Sequence, residues 1–326
     1  MKLLIQIPCF NEAEALPVTL KELPREVPGF SSVEWLVIND GSTDDTSEVA
    51  IRHGVDHVIT LTKNQGLARA FLAGLDGCIK LGADVIINTD ADNQYMAADI
   101  PKLVAPILAG KADVVIGSRP ISEIESFSIA KKILQKAGSM VVRFVSKTNI
   151  PDAPSGFRAL SREAAMRFNV FNDYTYTLET IIQAGQKSIA ITSVPVRVNG
   201  ELRPSRLVKS ISSYIRKSLV TIVRIFVVYK AFRFFMSVGL TVLSLGLIGG
   251  IRYLYYYATG SGAGHVQSLI LASILMGVGF QTMLTAFLAD LLAVNRRLME
   301  DVQYRVKKLE FHGTTEQHPG DRTNRS

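Results

Sequence analysis

The sequence predicts a doubly wound α/β domain with a mainly parallel sheet, followed by an interfacial amphipathic helix and two transmembrane helices. Three observations lead there. Short apolar runs alternate with helical segments from residue 1 to about 118. Acidic, turn-rich loops stand directly after two of those runs. Further on, residues 234–251 and 266–289 carry no charge and are long enough to cross a bilayer. Strand–loop–helix repeats favour parallel pairing because each returning helix covers the sheet. Ligands then bind beyond the carboxyl ends of the strands.

Residues 3–7 read as the first strand. Asn11-Glu12-Ala13-Glu14 opens a helix that stops before Pro24, since proline removes a helical donor. Residues 35–38 form the next strand and 43–53 the next helix. A strand over 58–61 precedes Asn64-Gln65-Gly66, which leads into a helix over 67–81. A strand over 85–88, an acidic loop, a helix from about 98 to 108 and a strand over 113–116 close the series. Beyond it, 129–146 is a basic helix carrying Lys131, Lys132, Lys136 and Arg143. Asp152-Ala153-Pro154-Ser155-Gly156-Phe157-Arg158 is a turn-rich loop leading into another helix. Residues 177–184 look helical, and 189–197 have the β-branched content of a strand.

From 205 to about 230, Leu207, Ile211, Ile215, Leu219, Ile222 and Phe226 recur at spacings of three or four. Lys209, Arg216 and Arg224 lie elsewhere on the wheel. That pattern suits a helix in the bilayer interface, with a surface helix packed on the domain as the alternative. Residues 234–251, extended by the tyrosines at 253–257, can cross a hydrocarbon core of about 30 Å. Residues 266–289 would reach about 36 Å as a helix. Gly239, Gly246 and Gly250 would let helices approach closely, within this pair or between protomers of a homo-oligomer.

The formal charge of +7 and mean hydropathy of +0.22 suit a membrane protein better than a nucleic-acid binder. Much of the base lies in 203–233 and 296–308, flanking the apolar stretches, and no nucleic-acid-binding signature is present. Base before the first span and after the second puts both termini and the globular part in the cytoplasm. Residues 3–7 are too short for a signal-peptide core. Cys9 and Cys78 make neither a disulfide framework nor a zinc site and read as inert core thiols. The resulting division is a globular domain over 1–204 and a juxtamembrane amphipathic helix over 205–232. Two transmembrane helices over 233–295 and a basic helix with a disordered tail over 296–326 complete it. The tail after Leu309 is polar.

Asn88-Thr89-Asp90-Ala91-Asp92-Asn93-Gln94 carries the clearest chemistry. Two carboxylates one residue apart, at the carboxyl end of a buried strand, suit a hard divalent cation and a diphosphate, because Mg²⁺ leaves coordination positions for phosphate. A lone D-x-D tripeptide is common; its position gives it weight. Asn39-Asp40-Gly41-Ser42-Thr43-Asp44-Asp45 ends an earlier strand. Asp40 there either shapes the turn or contacts base or ribose. Glu12 is either a helix N-terminal carboxylate or part of the same pocket. Together with the spans, these loops point to an enzyme handling a nucleotide sugar at a membrane surface.

Ile7-Pro8-Cys9-Phe10-Asn11-Glu12, Asn39-Asp40-Gly41-Ser42-Thr43-Asp44-Asp45-Thr46, Asn64-Gln65-Gly66 and Asp90-Ala91-Asp92 resemble, in order, the motif series of family-2 glycosyltransferases. Gly117-Ser118-Arg119 and Ser155-Gly156-Phe157-Arg158 resemble those of its polyprenyl- and dolichyl-phosphate sugar synthases. The resemblance covers residues 1 to about 210, and the two-span C-terminus looks like the membrane-anchored members. It implies a Rossmann-like domain of glycosyltransferase A type. It also implies inverting, Mg²⁺- or Mn²⁺-dependent transfer of one sugar from a UDP- or GDP-sugar to a polyprenyl or dolichyl phosphate at the cytoplasmic face.

Carried over by position, Pro8, Asn11, Glu12, Asp40 and Asp90 would hold the nucleotide. Asp90, Asp92 and Gln94 would hold the metal and diphosphate, and Asp92 and Arg119 would be catalytic. Arg119, Lys131 and Lys132 would face the acceptor phosphate, with Arg203, Ser205 and Arg206 in a basic loop over the diphosphate. Cys9-Phe10 replaces a commoner tyrosine-containing pair, and the lysines replace an arginine, a point charge in place of a bidentate fork. A processive polysaccharide synthase would need Q-x-x-R-W, and the only tryptophan is Trp35. A degenerate membrane scaffold would have lost Asp40, Asp90 and Asp92, all of which are present. A transferase acting on a glycan or other non-lipid acceptor is the remaining alternative.

Overall fold

The computed structural model describes residues 1–120, 129–170, 176–200, 220, 224, 227 and 229–313, with backbone alone at 129–135, 137, 263, 312 and 313. Its centre is a seven-stranded sheet. The strands are β1 (Lys2–Cys9), β2 (Ser32–Asn39), β3 (His57–Thr60), β4 (Val85–Asn88), β5 (Val114–Ser118), β6 (Arg158–Ser161) and β7 (Ile191–Pro195). Their spatial order is β3-β2-β1-β4-β6-β5-β7. All neighbours pair in parallel except β6, which is antiparallel to both β4 and β5. The expected mainly parallel α/β sheet is therefore present.

Strand β6 corrects the reading of 152–158 as a loop running straight into a helix. Its four residues, Arg-Ala-Leu-Ser, are too few for a period to emerge, and tertiary pairing on both sides creates the strand. Ser161 then caps the helix α6 (Arg162–Arg167), its Oγ accepting from Ala164 N–H at 3.2 Å.

β1 lies between β2 and β4, and Leu3, Leu4, Ile5 and Ile7 are all fully buried, as expected of a strand covered on both faces. Gln6 is the exception in this run. Its Nε2 donates to Asn88 Oδ1 at 2.9 Å, so the buried amide is satisfied.

The helices largely follow the expected segments; α3, α5 and α7 start where expected, and α1, α2 and α4 start later. α1 (Leu16–Glu22) begins after Asn11–Ala15 turns, because Asn11 adopts a left-handed φ of 54°. α2 is Thr46–Arg52, α3 is Leu67–Lys80 and α4 is Ile100–Leu108. α5 (Ile129–Ser146) and α7 (Thr177–Gln186) complete this set with α6.

The chain divides into two compact units, Met1–Ser218 with Asp301–Ser326, and Leu219–Glu300. In the second unit, α8 (Ala231–Ala258) and the greater part of α9 (Val266–Gly313) are long and apolar enough to cross a membrane. Their packing uses glycine. A Cβ at Gly239 would fall 2.8 Å from Met283 Cγ, and one at Gly279 would fall 2.5 Å from Leu243 N. Gly239 and Gly246 thus serve contact within the pair, whereas Gly250 faces open space. The amphipathic segment over 205–230 falls almost wholly outside the described residues.

α9 continues helically to Gly313, past the start of the expected disordered tail. Residues 301–313 belong to the first unit. Tyr304 Oη donates to Glu163 on α6, Lys307 Nζ donates to Asp76 on α3 at 2.8 Å, and Phe311 is buried. Those bonds explain why a polar segment stays helical.

Asp99, in a 3-10 turn ahead of α4, anchors the chain beyond β7. Its carboxylate accepts from Arg197 N–H (2.7 Å), from Arg197 Nη2 (2.8 Å) and from Lys102 (2.8 Å). Burial alone would raise its pKa, but the bonds from Arg197 and Lys102 prevail and hold it well below the carboxylate range. A carboxyl lowered in the folded state stabilises fully above its unfolded pKa of about 3.9, and that stability disappears as pH falls through the folded value. Asp99→Asn is expected to cost about 2–3 kcal/mol at pH 7. Thermal melts at stepped pH are expected to show wild type and variant converging below about pH 4.

Candidate active site

β3, β2, β1 and β4 run parallel, so the loops that follow them gather at one edge of the sheet. Short polar side chains knit the first two loops together. Asn11 N–H donates to Ser42 Oγ (2.9 Å), and Asn11 Oδ1 accepts from Thr43 N–H (2.8 Å). Glu12 N–H donates to Thr46 Oγ1 (3.0 Å) and Ala13 N–H to Asp44 Oδ2 (3.1 Å). Asn39 Oδ1 accepts from Ser42 N–H at 2.8 Å. This accounts for the dense run of Asn, Asp, Ser and Thr: each side chain satisfies backbone that has left the ladder. Gly41 is required here, with φ 64° and a missing Cβ that would lie 2.4 Å from the Lys63 carbonyl carbon.

Asp40 is buried with both oxygens engaged, accepting from Gln65 N–H and Gly66 N–H at 2.8 Å each. It clamps the loop after β2 to the start of α3, and each oxygen keeps a further lone pair beyond these bonds. Pro8 and Glu12 are both buried at this same edge. The Cys9 and Cys78 thiols are buried, and burial pushes both above the ordinary thiol pKa, as inert thiols require.

Asp90 follows β4 and lies directly against Gly156. A Cβ at residue 156 would come within 2.8 Å of both Asp90 carboxylate oxygens. Burial pushes the Asp90 pKa up, Asp92 adds to this, Arg119 and Arg158 oppose it, Glu12 adds again, and the balance is about 7. Burial is thus the main reason the carboxyl is held high, with the neighbouring Asp92 carboxylate second, and a cation at this position would favour the charged form. Asp92 Oδ1 accepts from Gln94 N–H at 3.2 Å, which folds the loop back on itself. Gln94 Oε1 accepts from Arg119 Nη1 at 3.2 Å, leaving that oxygen a second lone pair. Among the described residues no group of three or more His, Cys, Asp or Glu side chains could hold a metal. Two carboxylates and an amide oxygen fit Mg²⁺ or Mn²⁺ sharing its coordination with a diphosphate.

Arg119 is far more committed than an acceptor-facing fork would be. Its Nε and Nη2 donate to Asp152 Oδ2 (2.7 Å) and Oδ1 (3.0 Å), and its own N–H also donates to Asp152 Oδ2 (3.1 Å). The side chain is buried, with only its Nη1 end turned to Gln94. Asp152 is the residue that sequence reasoning missed as a site member. It lay in the quoted turn-rich loop, but nothing in its spacing paired it with Arg119.

The loop before β6 is organised by Arg158, which is 1% exposed. Its Nε donates to Ser155 O (2.8 Å) and its Nη2 to Ala153 O (3.0 Å). Nη1 reaches Thr180 Oγ1. Asn88 Nδ2 donates to Gly156 O and to Tyr176 Oη, each at 2.8 Å, while Gly156 N–H donates to Tyr95 Oη at 3.0 Å. Gly156 is thereby held on both its backbone groups. Tyr95 stacks on Phe157 with ring centroids 5.0 Å apart.

Beyond β7, Tyr95 bridges to Val198 and Asn199 N–H donates to Gln94 O at 2.9 Å. The chain that leads to Arg203, Ser205 and Arg206 therefore starts from the acidic loop. Those three residues lie outside the described residues, as do the side chains of Lys131 and Lys132.

A sheet of this order, with an acidic loop at the carboxyl end of β4, is a fold of glycosyltransferase A type. A fold likeness extends to glucosyl-3-phosphoglycerate synthase from Mycobacterium tuberculosis, solved with Mn²⁺, uridine diphosphate and glucosyl-3-phosphoglycerate. The TM-score is 0.51 at 19% identity, over 68% of this chain and 79% of that one. The chain belongs to glycosyl transferase family 2, whose family model matches residues 4–168, and it is a glycosyltransferase. It is similar to undecaprenyl-phosphate mannosyltransferase from Micrococcus luteus, 29% identical over 64% of this chain and 88% of that protein. It is also similar to polyprenol monophosphomannose synthase from Mycolicibacterium smegmatis, 28% identical over 59% of this chain and 76% of that protein.

Gly156→Ala is expected to fold normally by circular dichroism yet to lose on the order of 100-fold in sugar transfer, because the added methyl must displace Asp90. A rate within threefold (roughly) of wild type would remove Gly156 from the site's architecture.

Proposed function

We propose that the protein transfers one sugar from a nucleoside-diphosphate sugar to a polyprenyl or dolichyl phosphate at the cytoplasmic face of a membrane, in a single inverting step that needs a divalent cation. The observation that carries this reading is the Asp90–Asp92 pair at the end of β4, its first carboxyl buried against Gly156, beside the buried Arg119. The lipid acceptor is supported by the names of the two bacterial relatives, both of which act with polyprenyl carriers. The membrane location is supported by α8 and α9.

In this reading Pro8, Asn11, Glu12, Asp40 and Asp90 hold the nucleotide. Asp90 and Asp92, with Gln94, would hold Mg²⁺ or Mn²⁺, whose chemistry when bound is to neutralise the diphosphate as a leaving group. Arg119 is fixed by Asp152 and places positive charge against Gln94. Lys131 and Lys132 would receive the acceptor phosphate, and Arg203, Ser205 and Arg206 would cover the diphosphate. The domain is proposed to span 1–204, with a juxtamembrane helix over 205–232, two spans over 233–295 and both termini in the cytoplasm.

A lipid phosphate with a second pKa of about 6 is already largely anionic at neutral pH. Its oxygen attacks the anomeric carbon, the bond from that carbon to the diphosphate breaks, and nucleoside diphosphate leaves with the electron pair. No strong catalytic base is required, so the protein's work is orientation and charge compensation. Mannose, glucose and N-acetylglucosamine all suit this scheme.

The test is a donor screen with the full chain in nanodiscs, a polyprenyl phosphate, Mg²⁺ or Mn²⁺, and labelled UDP- and GDP-sugars. Label is expected in the organic phase with one donor, abolished by chelation and reduced on the order of 100-fold or more in Asp92→Asn. Nucleotide–metal binding without transfer to lipid from any donor would reject the lipid acceptor and leave a glycan or soluble acceptor.

A further inference from the structure

The acidic loop after β4 turns on Asn93, which is buried between Asp92 and Gln94 and adopts a left-handed φ of 54°. A non-glycine residue keeps that conformation where its neighbours fix it. Two residues far from the loop in sequence do so. Thr19, on α1, donates from Oγ1 to Ala91 O at 2.7 Å, and Ala91 is the residue between Asp90 and Asp92. Asn199, beyond β7, donates from Nδ2 to Asn93 O at 3.1 Å and from its N–H to Gln94 O at 2.9 Å. The carbonyls of residues 91, 93 and 94 are therefore all engaged from outside the loop.

The two braces are also joined to each other. Asn199 Nδ2 donates to Glu22 Oε2 at 3.0 Å, and Glu22 closes α1 three residues after Thr19. Both protons of the Asn199 amide are thereby used. Glu22 and Asn199 stand 177 residues apart, so α1 and the segment past β7 close a bracket around residues 91–94 from two remote parts of the chain. Thr19 is 3% exposed and Asn199 half-buried, which shields the bracket from competing water.

A divalent cation such as Mg²⁺ tolerates little displacement of its oxygen ligands. A loop free to rotate about its peptide units would swing the Asp92 and Gln94 side chains and could turn its own carbonyls toward the metal. Donors fixed on those carbonyls oppose both motions. We propose that Thr19 and Asn199 are positioning residues for the cation site, holding the backbone of 91–94 so that Asp92 and Gln94 offer their side-chain oxygens to the metal. This rests on the metal-dependent reading given above.

The test reads cation binding directly, with the full chain in nanodiscs. Free Mn²⁺ is counted by electron paramagnetic resonance in the presence of UDP or GDP, so the readout is independent of turnover. Thr19→Val removes the hydroxyl at nearly constant shape, Thr19→Ser keeps it, and Asn199→Ala removes the amide donors. Ser161→Ala, which loses the cap of α6 at the other end of β4, supplies a destabilised control. Thr19→Val and Asn199→Ala are each expected to weaken Mn²⁺ binding about 10-fold or more, with Thr19→Ser and Ser161→Ala within about twofold of wild type. Binding within about twofold of wild type in both Thr19→Val and Asn199→Ala would overturn the proposal. Equal weakening in Ser161→Ala would overturn it too, by tracing the effect to lost stability. Absence of nucleotide-dependent Mn²⁺ binding in the wild-type chain would reject the cation site itself, an outcome distinct from failure of the bracket alone.

Discussion

One buried cation governs the reactive edge of this protein. Arg158 spends its guanidinium on the carbonyls of Ser155 and Ala153 and on the Thr180 hydroxyl, and in doing so winds residues 153–157 around itself. Two consequences follow from that winding. Asp152 is left aimed at Arg119, and Gly156 is left pressed against Asp90. A buried guanidinium without those acceptors would be prohibitively costly, so the loop and the arginine specify each other.

The same edge shows how a basic protein can keep an acidic site. Asp90 and Asp92 stand one residue apart, with Glu12 adding to the field. Arg119 and Arg158 answer this charge from behind, each tied to protein groups that hold it in place. The positive charge is thus preorganised and does not collapse onto the carboxylates. The result is an acidic pair kept distinct within a chain of net charge +7, which suits a cation-carrying diphosphate.

Much of this was legible in the sequence. The four parallel strands announced themselves as apolar runs with loops at regular intervals, and the acidic loop after β4 stood out by composition. The antiparallel β6 did not, because four residues carry no period and its identity comes from β4 and β5 on either side. The helix starting at Leu16 was placed too early for a related reason: Asn11 to Glu14 have helix-opening composition, yet Asn11 is drawn into a left-handed turn by Ser42 and Thr43. In the site, Asp90 and Asp92 could be named from local pattern, and Arg119 only from the resemblance of Gly117-Ser118-Arg119 to a family motif. The pairing of Arg119 with Asp152, and the clamp of Asp40 on Gln65 and Gly66, join residues far apart in the chain. Only the fold reveals them.

The first unit is discontinuous in the chain, and that has a bearing on how the protein is made. Its final segment, from Asp301 onward, is separated from the rest by the whole of Leu219–Glu300. At a translation rate of about 5–20 residues per second, the ribosome takes roughly 4–16 s to cross that interval. The sheet, α3 and α6 emerge early, but Tyr304 and Lys307 reach Glu163 and Asp76 only after both long apolar helices have been synthesised. A chain interrupted before that point lacks the last contacts of its globular unit, so completion of the fold doubles as a record that the apolar hairpin was made.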